Sequence, residues 1–271
     1  MGLFMRSKIL TDDYIKITDK VKVAIPLFKD VYEYEKEYFL IAHHLTDMPF
    51  TRMAELWLAK IDYATITFYD LFIQALYELQ ILCTGTPEQV KQMFGVSFSP
   101  SPDLVNLFFV DLDVGNLVIL KHKNGSFIVI DKLTHEVVFD EDIIDKTAEA
   151  LRKIIGTQKD KRKEDIGGAS GRYVLERSVK VLKREIKKLQ DHPRQYSYLE
   201  SCLVTLVNTE KFPYNFETVM NVKYILFVLS LRQFVHTNSV DNINLGIYTG
   251  NIPMDKISNK DQNYFLLENE N

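Results

Sequence analysis

The sequence predicts an α+β fold: a mixed N-terminal half with antiparallel β-hairpins, then an all-helical C-terminal half with a long basic amphipathic helix. Three observations predict it. The candidate strands, read from period-two alternation and from apolar runs beside turn signals, all lie before residue 140. Beyond residue 172, apolar positions recur at three- and four-residue spacing. Between the two lies a charged, glycine-rich break, Thr157 to Gly171. The expected organisation is a mixed domain over 1–156, a flexible linker over 157–171 and a helical domain over 172–271.

Each element has its own reason. Tyr14-Ile-Lys-Ile-Thr18 and Lys20-Val-Lys-Val-Ala-Ile25 alternate as half-buried strands do, around a turn at Thr18-Asp-Lys20 that makes them a hairpin or one long strand. Tyr34, Tyr38, Ile41 and Leu45 predict a helix over 31–45. Asp47 and Pro49 start the next, to Lys60, with Met53, Leu56, Trp57 and Ile61 on one face. Thr67 caps a helix over 68–82 with Asp70 in its first turn, and Gly85-Thr-Pro87 separates it from a short helix over 88–94. Leu104 to Val110 is a candidate strand. Asn124-Gly125 between the apolar runs 116–122 and 126–131 is a strong hairpin signal, and Glu136-Val-Val-Phe139 adds a third strand. Asp140-Glu-Asp142 opens a helix that Gly156 stops. Past the break come helices over 172–190, 198–208 and 216–235, and Gly246, Gly250 and Pro253 interrupt the chain beyond them.

With 46% hydrophobic and 26% charged residues the composition is that of a soluble globular chain. The longest apolar run, Tyr224 to Leu231, is far short of the roughly 20 residues a bilayer needs. The N-terminus turns charged too early for a signal peptide, so no membrane partner is expected. Cys83 and Cys202 lie in apolar helical contexts outside any C-x-x-C pair and read as buried, reduced thiols. The net charge of −4 is uneven: residues 151–194 hold 14 Lys/Arg against 6 Asp/Glu, so the remainder is strongly acidic.

The sequence assembles no catalytic constellation and implies no cofactor. His43 and His44 are adjacent, and helical neighbours diverge by about 100°, so they cannot share a metal as an i, i+4 pair does. Asp111 and Asp113 would present two carboxylates on one face of an extended backbone, a pattern that suits a divalent cation and equally suits a strand end. Gly167-Gly-Ala-Ser-Gly171 lacks the preceding strand and the following Lys-Ser/Thr of a phosphate loop. The distant acids Asp111, Asp113 and Asp140 would matter only if a pocket gathered them.

The informative stretch is the helix after the break. Leu175, Val179, Leu182, Ile186 and Leu189 repeat at 4-3-4-3 spacing, a coiled-coil-like stripe. Arg177, Lys180, Lys183, Arg184, Lys187 and Lys188 lie mostly off it. The stripe fits a partner helix, a second copy or the chain's own helices. The basic set fits an acidic protein surface or nucleic acid, although only Tyr173 offers a stacking ring beside it.

Several short motifs fall in a familiar order: Lys20-Val-Lys-Val-Ala-Ile-Pro26, Glu37-Tyr-Phe-Leu-Ile-Ala, Leu45-Thr-Asp-Met-Pro49, Ile61-Asp-Tyr63, Tyr69-Asp-Leu-Phe72, Leu206-Val-Asn-Thr-Glu-Lys-Phe-Pro-Tyr-Asn-Phe-Glu217 and Gly246-Ile-Tyr-Thr-Gly250. In these the chain resembles proteins from the virion-morphogenesis genes of tailed phages of Gram-positive bacteria, over residues 16–250. The resemblance implies a role in building the tail, as a chaperone-like or structural factor. Its partners would be other phage structural or assembly proteins, and it would work in the host cytoplasm or in the virion. No active site comes with it. The expected function is therefore non-enzymatic virion assembly through protein–protein contacts, with a nucleic-acid-binding accessory protein as the alternative.

Overall fold

The computed structural model describes residues 9–94, 100–121, 127–160, 169–192, 195–253, 257–258 and 261–265. Strands β1 (Tyr14–Lys16) and β2 (Lys22–Ala24) form an antiparallel hairpin with Ile15 opposite Val23. The Thr18 hydroxyl accepts from the backbone N–H groups of Lys20 and Val21 and closes its turn. Val21 and Val23 are fully buried.

The predicted helix over 31–45 is two helices, α1 (Phe28–Glu33) and α2 (Glu35–Thr46). Tyr34 breaks them apart at φ −110°, ψ 34°. Asp47 is not the N-cap of the next helix but the C-cap of α2, and residues 49–52 form a turn. Helix α3 (Met53–Leu58) is consequently only 6 residues long. It buries Met53 and Leu56, while Trp57 is 55% exposed instead of sharing their environment. Helix α4 (Phe68–Thr84) starts with the expected cap, Thr67 and Asp70 exchanging side-chain-to-backbone hydrogen bonds. It buries Leu71, Phe72, Ala75, Leu76 and Leu79 and runs through the core. Helix α5 (Pro87–Phe94) follows.

Leu104 to Val110 is not a strand. Ser101 caps, and Pro102 begins, a 3-10 helix over Pro102–Leu107, because the Ser101 hydroxyl accepts from the Asp103 N–H and proline's fixed φ suits a first helical position. Only its end pairs with β2: Ala24 N–H donates to Phe108 and Val110 N–H to Lys22. Strands β3 (Leu117–Lys121), β4 (Phe127–Asp131) and β5 (Val137–Phe139) form an antiparallel sheet in that order. The Asn124-Gly125 turn lies outside the described residues. Helix α6 (Glu141–Ile155) has Asp140 as N-cap and Gly156 at φ 73° as its stop. A Cβ at Gly156 would lie 2.5 Å from Val228, so both backbone and space require glycine there.

Helix α7 (Ala169–Asp191) begins before Gly171, so the last residues of the expected linker belong to its first turn; residues 161–168 lie outside the described set. Helix α8 (Tyr198–Val207) carries a Ser197–Glu200 capping box. Helix α9 (Tyr224–Tyr248) starts later and runs further than the expected 216–235. Gly246 does not end it: glycine there admits Ile252, whose side chain would be 2.5 Å from a Cβ.

The main core draws on both sides of the break. Val23, Phe28, Tyr38, Phe72, Phe108 and Phe139 share one cluster with Leu199 and Leu203 of α8 and Tyr224, Ile225 and Phe227 of α9. No described residue of helix α7 belongs to that cluster. The helix sits on a separate one, Phe50, Met53 and Leu175, flanked by Tyr63 and Val179. Among the described residues no helix is long and apolar enough to cross a membrane.

Candidate functional site

Helix α7 divides its apolar stripe in two. Leu175 is 8% exposed and Val179 is half-buried, both seated on α3 and its preceding turn. Leu182 is half-buried, and Ile186 and Leu189 are 42% and 46% exposed. Length explains the division. At about 1.5 Å per residue, a 6-residue α3 can back only the first turns of a 23-residue α7. The stripe continues past its support. Arg177, Lys180, Lys183, Arg184, Lys187 and Lys188 are all exposed along it.

Beside the α3–α7 contact runs a groove of about 370 Å³, with Thr51, Arg52, Ala54 and Glu55 on one wall and Val174, Arg177, Val181 and Leu182 among the residues of the other. Val174 and Val181 are exposed apolar residues that widen the stripe. They stand seven apart, one place before Leu175 and Leu182, and that second heptad position was the readable sign of the groove.

Arg52 is held in this wall by a polar relay. Its Nη2 lies 2.6 Å from His44 Nε2 and its Nε donates to Glu55 at 3.1 Å. Arginine has donors only, so His44 Nε2 accepts, and the ring proton sits on Nδ1 and is donated to Glu78. Glu78 is 4% exposed and also accepts from Gln74 at 2.9 Å. The buried carboxylate is thus satisfied at both oxygens. Sequence offered no sign of this cluster, since Glu78 is 34 residues from His44 and lies within the apolar run of α4.

The other sequence candidates are separated and used locally. His43 turns away from His44 to Asp47, 3.3 Å distant, as helical divergence requires. Its pKa is raised, chiefly by that hydrogen bond. Asp111 is not extended: at φ 59° it pairs with Lys22 at 3.0 Å. Asp113 caps the next turn, accepting from Gly115 N–H at 3.0 Å. Asp140 caps α6. Burial pushes the Cys83 thiol up to about 11 and also raises Cys202. Among the described residues no cluster of His, Cys, Asp and Glu could hold a metal ion.

A larger cleft of about 540 Å³ was missed by sequence. It lies between α9 and the turn after α8, with Leu206, Phe212, Leu229 and Phe234 inside and Gln233 and Asp241 at the rim. Tyr264 lies across that rim, its hydroxyl donating to Asp241 at 2.8 Å and its carbonyl accepting from Gln233 at 2.7 Å. Compared with family models, curated proteins and solved structures, the chain matches none.

Proposed function

We propose that the protein is a non-enzymatic virion-assembly factor, tail-related as the sequence resemblance implies, that works in the host cytoplasm through protein–protein contacts made by α7. One observation carries the reading: the apolar stripe is covered at Leu175 and Val179 and uncovered at Ile186 and Leu189. A stripe needed only for packing would end where its support ends. The residues best suited to chemistry support the same reading, because His44, Glu78, Asp113 and Asp140 are all engaged in local structure. The complex is tested with the products of neighbouring morphogenesis genes. Leu182→Asp with Ile186→Asp should abolish the complex in light scattering while the circular dichroism spectrum stays native. An unchanged complex mass would remove the proposal.

Nucleic-acid binding is the second reading, favoured by the exposure of all six basic residues on one helix. It requires an affinity that falls steeply with salt. No gel shift at low salt would exclude it.

A further inference from the structure

Helix α9 presents two faces with different fates. Tyr224, Ile225 and Phe227 enter the main core. Leu226, Leu229, Ser230, Gln233, Phe234 and Thr237 recur at three- and four-residue spacing and share another face, which forms one wall of the cleft of about 540 Å³. Leu206 of α8 and Phe212 of the turn after it line the facing wall. A mostly apolar cleft of that size has the dimensions of a binding site.

Residues 263–265 are tied to its mouth. His236 donates to the Asn263 carbonyl at 2.7 Å, and Gln233 donates to the Tyr264 carbonyl at 2.7 Å. Asn244 donates to the Tyr264 hydroxyl at 3.0 Å, and that hydroxyl donates to Asp241 at 2.8 Å. The contacts run along α9 from Gln233 to Asn244, a length of about 16 Å. Yet the anchored rings bury little, with Tyr264 43% and Phe265 68% exposed. Exposed hydrogen bonds return less than the entropy lost in ordering such a segment. An apolar contact beyond the anchor is needed to hold it. The next two residues are Leu266 and Leu267, followed by the polar Glu268-Asn-Glu-Asn271. Residues 266–271 lie outside the described set.

We infer that Leu266 and Leu267 seat in the α8–α9 cleft, so that residues 263–267 form a latch that closes it. Reach allows this. Gln233 both holds the Tyr264 carbonyl and lines the cleft. Consecutive Cα atoms are about 3.8 Å apart, which puts Leu266 within about 8 Å of the Tyr264 Cα and Leu267 within about 12 Å. Chemistry agrees, because two aliphatic side chains meet a wall of Leu226, Leu229, Phe212 and Phe234. Tethering selects this occupant over others. A group joined to an anchor by one or two residues is present at an effective concentration in the millimolar range or above, which a free apolar molecule or a partner's peptide must overcome. The cleft therefore opens to another ligand only when the latch lifts. Helix α7 takes no part in the latch, so the inference is independent of its having a partner.

Photo-crosslinking of the full chain tests it. Leu267→p-benzoylphenylalanine, irradiated in dilute solution and mapped by mass spectrometry, should form an adduct within one chain, in peptides carrying residues 206–213 or 226–241. An adduct elsewhere in the chain, an adduct between two chains or no adduct overturns the inference. A second variant reads the opened cleft. Leu266→Asp with Leu267→Asp should raise the fluorescence of 1-anilinonaphthalene-8-sulfonate several-fold over wild type, with an unchanged far-ultraviolet spectrum. A synthetic peptide of residues 263–271 in excess should suppress that rise. Fluorescence equal to wild type, or a rise that the peptide leaves unchanged, contradicts the latch.

Discussion

At the scale of single residues, four side chains have measurable consequences. Arg152 is 5% exposed, and its Nε and Nη2 donate to the Thr46 carbonyl at 2.9 and 2.5 Å. Desolvation lowers its pKa. The guanidinium satisfies the last carbonyl of α2, where a helix favours positive charge, and lies 5.4 Å from the centre of the Phe68 ring. Arg152→Ala should cost about 2–4 kcal/mol in urea unfolding, because a buried acceptor loses its donor and a cavity opens. A loss below about 0.5 kcal/mol would contradict that role. Thr147 is the reverse case: its hydroxyl is fully buried with no hydrogen-bond partner. Thr147→Val keeps the shape and should stabilise by about 1 kcal/mol. His43 sets a pH dependence. The Asp47 hydrogen bond raises its folded pKa above the usual 6.5, so its contribution is full below the unfolded value and fades as pH rises through the folded one. Its ring is 52% exposed, so solvent screening keeps the effect small. Thermal melts between about pH 5 and 9 should slope less in His43→Gln. Cys83, 7% exposed with its thiol pushed up to about 11, should resist a thiol reagent at about pH 8 until the chain unfolds.

At the scale of elements, local chemistry was legible and context was not. The Thr67–Asp70 cap, the Asp140 cap and the Gly156 stop could be read because a few adjacent residues decide them. The 4-3-4-3 stripe gave α7 its type and its apolar face. Leu104 to Val110 misled because an apolar run states burial without stating period, and Ser101-Pro102 then set the backbone. Gly246 misled because glycine also serves close packing, here of Ile252. The Arg52–His44–Glu78 relay was invisible because its buried acid, Glu78, lies 34 residues from His44 inside an apolar helix. It predicts coupling: His44→Ala and Glu78→Gln should each destabilise, and the double variant should lose less than their sum by about 0.5–3 kcal/mol. Additive losses would show that the relay does not act as a unit.

At the scale of the whole molecule, the break at 157–171 separates two compositions but the hydrophobic core spans it. Tyr224 stacks edge-on against Tyr38, and Phe227 lies 4.3 Å from Phe28, ring centre to ring centre. Helices α8 and α9 therefore depend on the N-terminal half for their cover. Unfolding of the full chain should be one cooperative transition with tryptophan and far-ultraviolet signals coincident. Fragment 172–271 alone should lack a cooperative melt. Helix α7 stands apart from this core, seated on α3 by the start of its stripe and open beyond it. That separation underlies the proposal that α7 meets a partner while the main core stands without it. The most direct measurement is the light-scattering mass of the protein with the products of the genes beside its own, for wild type and for Leu182→Asp with Ile186→Asp. A complex is expected for the wild type and only free components for the variant, with equal melting temperatures. A variant that still forms the full complex, or one that loses its fold along with it, would contradict the claim.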